Sequence, residues 1–274
     1  MRKRIISGVT GALFAVFILF FGQSHPMIIN LITALIAALA ANEMFAVMGI
    51  SKIWIISVPS LIFCAFLPAF GYGIYWYILW YVYSLWIFCT MILKPTLTLK
   101  QIVMCYAATI LISVSFSCMI LLRDFGKRYG CFFVLLALCI AWLSDTGAYF
   151  CGKFFGKNKL CPEISPKKTV EGFFGGISVS VLSTLLAAAI FDLFTSPENI
   201  QINYFQITVM ALIGALISVL GDLCFSAIKR KCGVKDFGSL MPGHGGILDR
   251  FDSVIFVVPY VYIFVQIIPI MIKR

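Results

Sequence analysis

The stretch Val209–Ser253 reads VMALIGALISVLGDLCFSAIKRKCGVKDFGSLMPGHGGILDRFDS, and its character changes abruptly from apolar to polar at Gly221. The part from Gly221 to Ser253 holds nine charged residues and six glycines. A charged side chain at the centre of a bilayer costs at least ~2.5–3.5 kcal/mol. A dense charged and glycine-rich cluster that follows an apolar run therefore indicates a functional site.

The rest of the chain is strongly apolar. Of its 274 residues, 62% are hydrophobic and only 12% are charged, and the mean hydropathy is +1.03. A soluble domain carries about twice that charged fraction. We therefore predict an all-α polytopic membrane protein without a soluble domain. The net charge of +10 is then typical of basic cytoplasmic loops, and it favours the lipid bilayer and anionic substrates as partners over nucleic acid.

Nine apolar segments are long enough to cross the hydrocarbon core of a membrane. They cover approximately Ile5–Gly22, Met27–Ile50, Ile53–Phe70, Ile74–Leu93, Gln101–Leu122, Gly130–Cys151, Gly172–Phe194, Tyr204–Ile228 and Phe251–Ile272. The first segment lacks a small-residue cleavage site, so we interpret it as a retained anchor. We divide the chain into N-terminal transmembrane helices, 1–100 with about four spans, and a catalytic transmembrane domain, 101–274 with about five.

The basic residues predict the orientation of these spans. With a cytoplasmic N-terminus and nine crossings, sixteen of the 21 Lys and Arg residues fall on the cytoplasmic side, which agrees with the positive-inside rule. The loop Arg123–Tyr129 is a local exception, which one misplaced span would explain. The two long polar loops, 152–171 and 229–250, then lie on the same face. We expect a multi-pass protein of the bacterial-type inner (cytoplasmic) membrane, with its active site on the cytoplasmic face.

Two aspartates flank the second polar loop, Asp222 near the end of the eighth span and Asp249 at the opening of the ninth. A carboxylate near a helix C-terminus is opposed by the helix dipole, so Asp222 needs a positive partner, either Lys229 or a metal ion. Mg²⁺ is a hard cation that binds one or two carboxylates together with substrate phosphates. We predict Asp222 and Asp249 as Mg²⁺ ligands. Helix capping is the alternative, and it is strongest for Asp252 and Ser253.

The loop between the two aspartates is suited to bind phosphate. Its glycines let backbone N–H groups approach a ligand closely, and its basic side chains add charge and hydrogen-bond donors. Anchoring at the membrane surface is the alternative for the basic residues. We interpret His244 as a phosphate donor and turn residue. The phosphate-binding residues predicted here are Ser226, Lys229, Arg230, His244, Gly245, Gly246 and Arg250.

The first polar loop repeats this chemistry. Asp145 follows an apolar run, where an ionisable side chain is functional by default, and we assign it, with Asp252, a supporting role. Lys168 and Thr169 immediately precede a span, and we predict that they also bind phosphate. A basic helix cap with Glu171 in the first turn is the alternative for this segment.

One further charged residue lies inside an apolar span. Glu43 is within the second span, where we expect it to face protein near the inner surface. The sequence leaves its role open, and we favour a structural polar contact.

At these residues the chain resembles phosphatidate cytidylyltransferase, the CDP-diacylglycerol synthase family. The family signature runs Ser-x-hydrophobic-Lys-Arg, four residues, Lys-Asp-x-small, then a Pro-x-His-Gly-Gly turn and Asp-Arg-x-Asp. Its spacing matches throughout, and Met241 in place of the usual Leu, Ile or Phe is a conservative departure. The matching residues are Ser226, Lys229, Arg230, Lys235, Asp236, Gly238, Pro242, His244, Gly245, Gly246, Asp249, Arg250 and Asp252.

The resemblance implies a reaction in which CTP and phosphatidate give CDP-diacylglycerol and pyrophosphate with Mg²⁺. It identifies Asp222 and Asp249 with the family's metal-binding carboxylates, and we predict Asp222, Asp249, Lys235 and Asp236 as catalytic residues. It also implies a homodimer and, beside Mg²⁺, a second, monovalent cation such as K⁺. The residues agree with this chemistry, because a phosphate oxygen is already an anionic nucleophile and needs positioning and charge neutralisation more than a strong base.

Two other functions would also use charged groups near a membrane. A transporter of a phosphorylated metabolite would use intramembrane carboxylates and a basic vestibule, but it predicts polar groups on both faces of the membrane and a repeated half. A different lipid phosphotransferase, acting on CDP-alcohols or polyprenyl phosphates, would carry another aspartate pattern, and the DG-x-x-A-R type is absent from the sequence. The polar clusters on one side favour the nucleotidyltransferase.

Overall fold

The computed structural model describes residues 25–70, 73–125, 129–195, 200–240 and 245–273. The first predicted span, Ile5–Gly22, lies outside the described residues. In chain order, the elements are α1 (Pro26–Val47), α2 (Trp54–Phe70), α3 (Ile74–Leu93), α4 (Leu99–Phe125), α5 (Gly130–Leu138), a π-helix (Cys139–Leu143), α6 (Ser144–Phe155), β1 (Lys159–Cys161), β2 (Ser165–Thr169), α7 (Val170–Thr195), β3 (Ile200–Ile202), α8 (Tyr204–Lys231), α9 (Leu248–Phe251), α10 (Val254–Ile267) and β4 (Met271–Lys273).

Most of these helices are long and apolar. Seven helical segments within the described ranges are long and apolar enough to cross a membrane, and α2 is apolar but has only 17 residues. Each predicted span from Met27 onward corresponds to one helix or to consecutive helical segments, with bounds within a few residues except at the end of the last span. The all-α polytopic class is thus confirmed, whereas the count of nine is not. The last prediction was too long, because the helix ends at Ile267 and residues 271–273 pair with β3 instead.

Packing divides the chain into two compact units. The first comprises Met1–Ile120 and Lys231–Phe251, and the second Leu121–Arg230 and Asp252–Arg274. These units are defined by contacts, whereas the sequence-based division at residue 100 is a division by catalytic role and stays a prediction.

In the first unit, helices α2, α3 and α4 meet around buried hydroxyl groups. The Ser60 hydroxyl lies 2.9 Å from the Tyr83 hydroxyl, and it also donates to the Ile56 carbonyl at 2.6 Å. The Tyr83 ring stacks between Phe63 and Tyr106. Hydroxyl groups that are hydrogen-bonded in this way hold helices together in an apolar medium.

In the second unit, small residues bring α6 and α7 close together. A Cβ atom added to Gly147 would lie 2.6 Å from a Val179 side-chain atom, and one added to Gly176 would lie 2.8 Å from the Ser144 carbonyl oxygen. Small residues at a helix interface permit this approach and are typical of membrane helix pairs. The interface carries Asp145 at one end and the hairpin of β1 and β2 at the other.

A π-helix interrupts the helical run just before Asp145. Such segments displace backbone carbonyls from the regular helical pattern and are frequent at functional sites. Here the displaced carbonyls are satisfied from neighbouring helices, because the Ser180 hydroxyl donates to Ile140 at 3.5 Å and the Ser218 hydroxyl donates to Ala141 at 3.4 Å. Helices α7 and α8 thereby hold the segment that leads into Asp145.

Candidate active site

Asp222 forms a close ion pair with Lys168 in the second unit. Its Oδ2 lies 2.6 Å from Nζ of Lys168, and both side chains are about a fifth exposed, at 23% and 22%. Its Oδ1 accepts a hydrogen bond from Ser226, one turn later in α8, at 3.2 Å. The sequence analysis offered Lys229 or a metal as the positive partner of Asp222. The sequence did not predict Lys168 as a partner, because this pairing depends on the fold of residues 159–169 and not on spacing along α8.

Lys229 instead lies beside Asp252. Its Nζ is 4.0 Å from Oδ2 of Asp252, and both side chains are 10% exposed. Asp252 also interacts electrostatically with Asp222 and with Asp145. The second unit therefore gathers three carboxylates and two lysines in one cluster. A bound cation or phosphate would change the balance of charge in this cluster.

Asp145 is oriented by Ser253, the residue just before α10. The Ser253 hydroxyl donates to Oδ2 of Asp145 at 2.9 Å, and the Ser253 N–H donates to Oδ1 of Asp252 at 2.9 Å. Ser253 precedes α10 but makes no side-chain cap bond to it. Capping was the alternative interpretation of Ser253, and its hydroxyl is used for Asp145 instead.

A short hairpin presents Lys168 to Asp222. Strands β1 and β2 pair antiparallel, and Glu171 in α7 accepts hydrogen bonds from the Lys157 N–H at 3.0 Å and from the Asn158 side-chain amide at 3.0 Å. Nε of Arg230 in α8 donates to the Ile164 carbonyl at the hairpin turn, at 3.4 Å. The sequence analysis treated residues 152–171 as a loop, and the hairpin is a feature that it did not predict.

Thr169 ends this hairpin in a structural position. It is buried, its hydroxyl accepts the Gly172 N–H at 3.1 Å, and a Cβ on Gly152 would lie 2.8 Å from its Oγ1. This is a helix N-cap geometry, which supports the capping alternative for this segment. The phosphate-binding role of Thr169 stays a prediction.

Asp249 closes a loop in the first unit. Its Oδ2 accepts the Phe237 N–H at 2.8 Å and the Gly246 N–H at 3.0 Å. Gly245 between them has a φ of +81°, and a Cβ there would lie 2.9 Å from the same Oδ2. Only glycine combines that backbone conformation with so close a carboxylate. The Gly246 N–H, predicted to face phosphate, is thus directed at Asp249.

Glu43 provides a second carboxylate to the same segment. Oε1 accepts the Ile247 N–H at 3.0 Å and Oε2 accepts the Leu248 N–H at 2.8 Å. The interpretation of Glu43 as a structural polar contact is confirmed. No sequence signal connected it to residues 247 and 248, which are more than two hundred positions later.

The other predicted residues of the first unit lie on the surface. Lys235, Asp236 and Arg250 are exposed. His244 lies outside the described residues. The catalytic and phosphate-binding roles of these side chains remain predictions.

The donor chemistry was compared with the needs of Mg²⁺. Within the ranges that the structure describes, no group of three or more His, Cys, Asp or Glu side chains could by itself hold a metal ion. Mg²⁺ does not need such a cage, because it is usually bound by one or two carboxylates plus substrate phosphates and water. The carboxylate oxygens of Asp222 and of Asp249 are the type of ligand that Mg²⁺ prefers.

These features define the class of the protein. It is a multi-pass helical membrane protein in which carboxylates and lysines are paired beside its helices. Comparison with known proteins makes the assignment specific. The model of the cytidylyltransferase family matches residues 2–268, and the chain belongs to this family.

Relatives in three bacteria carry the same name. A phosphatidate cytidylyltransferase of Bacillus subtilis strain 168 is 36% identical over 273 residues, which cover 96% of each chain. A phosphatidate cytidylyltransferase of Staphylococcus epidermidis is 41% identical over 170 residues, covering 62% of this chain and 61% of the relative. One of Staphylococcus aureus strain COL is 47% identical over 133 residues, covering 48% of each chain.

Proposed function

We propose that the protein is an integral membrane nucleotidyltransferase of phospholipid biosynthesis, which forms CDP-diacylglycerol and pyrophosphate from CTP and phosphatidate. The observation that carries this conclusion is the match to the cytidylyltransferase family over residues 2–268, together with 36% identity to the Bacillus subtilis phosphatidate cytidylyltransferase over 96% of both chains. The transporter alternative finds no support among these relatives.

The reaction is a substitution at phosphorus. A phosphate oxygen of phosphatidate attacks the α-phosphorus of CTP and forms the new P–O bond. The bond from that phosphorus to the oxygen that bridges to the β-phosphate breaks, and pyrophosphate leaves with the electron pair. The nucleophile is already anionic, so the protein must mainly hold two negatively charged substrates together in line.

Lys168 and Lys229 are the residues that the geometry favours for this task. Each is already held by a carboxylate, Lys168 by Asp222 at 2.6 Å and Lys229 near Asp252 at 4.0 Å. A lysine whose position is fixed by a carboxylate loses less side-chain entropy when phosphate binds. We infer that both lysines contact substrate phosphates.

Asp222 and Asp249 are proposed as the Mg²⁺ ligands, and a monovalent cation such as K⁺ as a second ion. When bound, Mg²⁺ supplies positive charge to the phosphate oxygens and to the departing pyrophosphate. Lys235, Asp236 and Arg250 are exposed, and we assign Lys235 and Asp236 a catalytic part and Arg250 a phosphate contact.

The location and assembly are also proposals. Bacterial relatives and the excess of basic residues in cytoplasmic loops support an inner-membrane protein with its site on the cytoplasmic face, and the family resemblance supports a homodimer. A protease site inserted after Glu163, at the exposed tip of the hairpin, should be cut in inside-out vesicles and not in right-side-out vesicles. Cutting of right-side-out vesicles would reverse the orientation.

The function is tested with purified protein in detergent, CTP, phosphatidate and Mg²⁺. We expect lipid-soluble cytidine and pyrophosphate to form in equal amounts, and Asp222→Asn to lower turnover at least about 100-fold, which corresponds to about 2.7 kcal/mol of transition-state stabilisation. The matched control is Asp192→Asn, near the end of α7 that is farther from Lys168, and this variant should retain wild-type turnover. No product from wild-type protein that binds CTP would refute the proposal.

A further inference from the structure

Glu43 holds the segment that carries Asp249, although it lies 204 residues before Ile247 in the chain. Its two carboxylate oxygens each accept one backbone N–H, from Ile247 at 3.0 Å and from Leu248 at 2.8 Å. Leu248 is the first residue of α9, and the first N–H groups of a helix have no partner inside it. Glu43 therefore satisfies, from α1, the N–H group that opens α9 and the N–H group of the residue just before it.

The same carboxylate fits against two glycines. A Cβ on Gly238 would come into collision with Oε1 of Glu43 and within 2.7 Å of its Cδ, and a Cβ on Gly246 would collide with Oε2. The end of a glutamate side chain usually moves aside easily. Here, moving aside would break both hydrogen bonds to Ile247 and Leu248, so the glycines are required for Glu43 to reach them.

Glu43 and Asp249 together use three consecutive N–H groups. Gly246 donates to Asp249, and the next two residues, Ile247 and Leu248, donate to Glu43. The backbone that determines where Asp249 points is thus fixed from both sides by carboxylates. Phe251, at the end of α9, also packs against Phe116 at a centroid distance of 5.4 Å.

We propose that Glu43 is a positioning residue for the nucleotidyl transfer, which acts by holding Asp249 in the orientation needed for catalysis. This inference rests on the proposed function. It assigns to α1, outside the signature segment, a specific part in the reaction. Glu43 does not touch substrate in this account, and its effect passes through the backbone of residues 246–248.

The test compares Glu43→Gln with Glu163→Gln. Glutamine has the size of glutamate, but one oxygen becomes an NH₂ donor that faces a backbone donor, so one of the two hydrogen bonds is lost and the other is weakened. Glu163 is exposed at the hairpin turn, so Glu163→Gln makes the same change of charge without these contacts. Turnover, the Mg²⁺ concentration for half-maximal turnover, and hydrogen exchange of peptides covering residues 245–251 are measured for both.

We expect Glu43→Gln to lower kcat about tenfold or more, to raise the half-maximal Mg²⁺ concentration, and to speed exchange in the 245–251 peptides, while the KM for phosphatidate stays near the wild-type value. Glu43→Gln protein that matches Glu163→Gln in kcat and in exchange would overturn the proposal. A loss of activity without faster exchange would overturn it as well, because Glu43 would then act by another route.

Gly238→Ala provides an independent variant if Glu43→Gln does not fold. The added methyl group should displace Glu43 and reproduce its exchange and kcat effects. In Glu43→Ala protein the collision is removed, so adding Gly238→Ala should cost little more, and simple additivity of the two effects would contradict the geometry. Hydrogen exchange is measured without substrate and does not depend on the reaction. Wild-type protein that makes no product would refute the proposed function, and hydrogen exchange would still decide whether Glu43 holds residues 245–251 in place.

Discussion

Replacing Asp249 by Asn and by Ala separates its structural role from its charge. Asparagine keeps a side-chain oxygen that can accept the Phe237 and Gly246 N–H groups, now 2.8 and 3.0 Å from Oδ2. Alanine removes the acceptor of both N–H groups, which belong to the buried residues Phe237 and Gly246. The loop should therefore survive Asp249→Asn and open in Asp249→Ala.

The magnitudes follow from the two hydrogen bonds. A bond to a charged acceptor contributes about 1.5–3 kcal/mol and a neutral one about 0.5–1.5 kcal/mol. Asp249→Asn should thus lower the free energy of unfolding by about 2–3 kcal/mol, and Asp249→Ala by about 3–6 kcal/mol. If the negative charge is needed for Mg²⁺, both variants should lose at least about 100-fold in turnover, or about 2.7 kcal/mol, although their stabilities differ.

The assay combines thermal unfolding in detergent with turnover of CTP and phosphatidate. The expected pattern is a graded decrease of the unfolding midpoint, from wild type to Asn to Ala, with equally deep losses of turnover. Asp192→Asn is the control for a change of one carboxylate to amide. Near-wild-type turnover of Asp249→Asn would show that Asp249 only closes the loop.

Three further outcomes test the described contacts. Gly245→Ala should lower the unfolding midpoint more than Gly233→Ala. Both glycines have a positive φ, +81° and +72°, which costs alanine about 1–2 kcal/mol at each position, but of the two only Gly245 faces the Asp249 carboxylate. Equal unfolding midpoints of the two variants would contradict this contact. Thr169→Val should lower the midpoint by the equivalent of about 1 kcal/mol through loss of the helix cap, and an unchanged midpoint would remove the cap from the account. Lys168→Met combined with Asp222→Asn should destabilise less than the sum of the single changes, as expected for a pair with a 2.6 Å contact; additive effects on the midpoint would mean that the two side chains do not interact.

The helices were accessible from the sequence because hydropathy is a strong local signal. The segment Ile74–Leu93 was predicted with the bounds that the structure gives it, because 18 of its 20 residues are apolar and a glycine and a lysine flank it. It was nevertheless among the least secure predictions, since only three residues, 71–73, separate it from the preceding segment. Hairpin 159–169 was not accessible in this way. Its strands have three and five residues, and the second contains Pro166, so no alternating pattern appears.

The residue types of the site were also visible in the sequence, but their partners were not. Asp222 was recognised because a carboxylate is unusual after an apolar run, yet its bond to Lys168 depends on how the hairpin meets α8. Glu43 was recognised as a charged residue inside a span, but its partners, Ile247 and Leu248, contribute only backbone N–H groups. A backbone donor leaves no trace in the sequence, so such a contact requires the fold.

The reaction itself is tested most directly by following the phosphorus atoms of CTP. With label at the α-phosphate, wild-type protein given phosphatidate and Mg²⁺ should move the label into the lipid fraction, and with label at the γ-phosphate it should release all of the label as pyrophosphate. γ-Label that appears in lipid, or as inorganic phosphate without pyrophosphate, would mean that the bond broken is a different one, and would contradict nucleotidyl transfer as the activity of this chain.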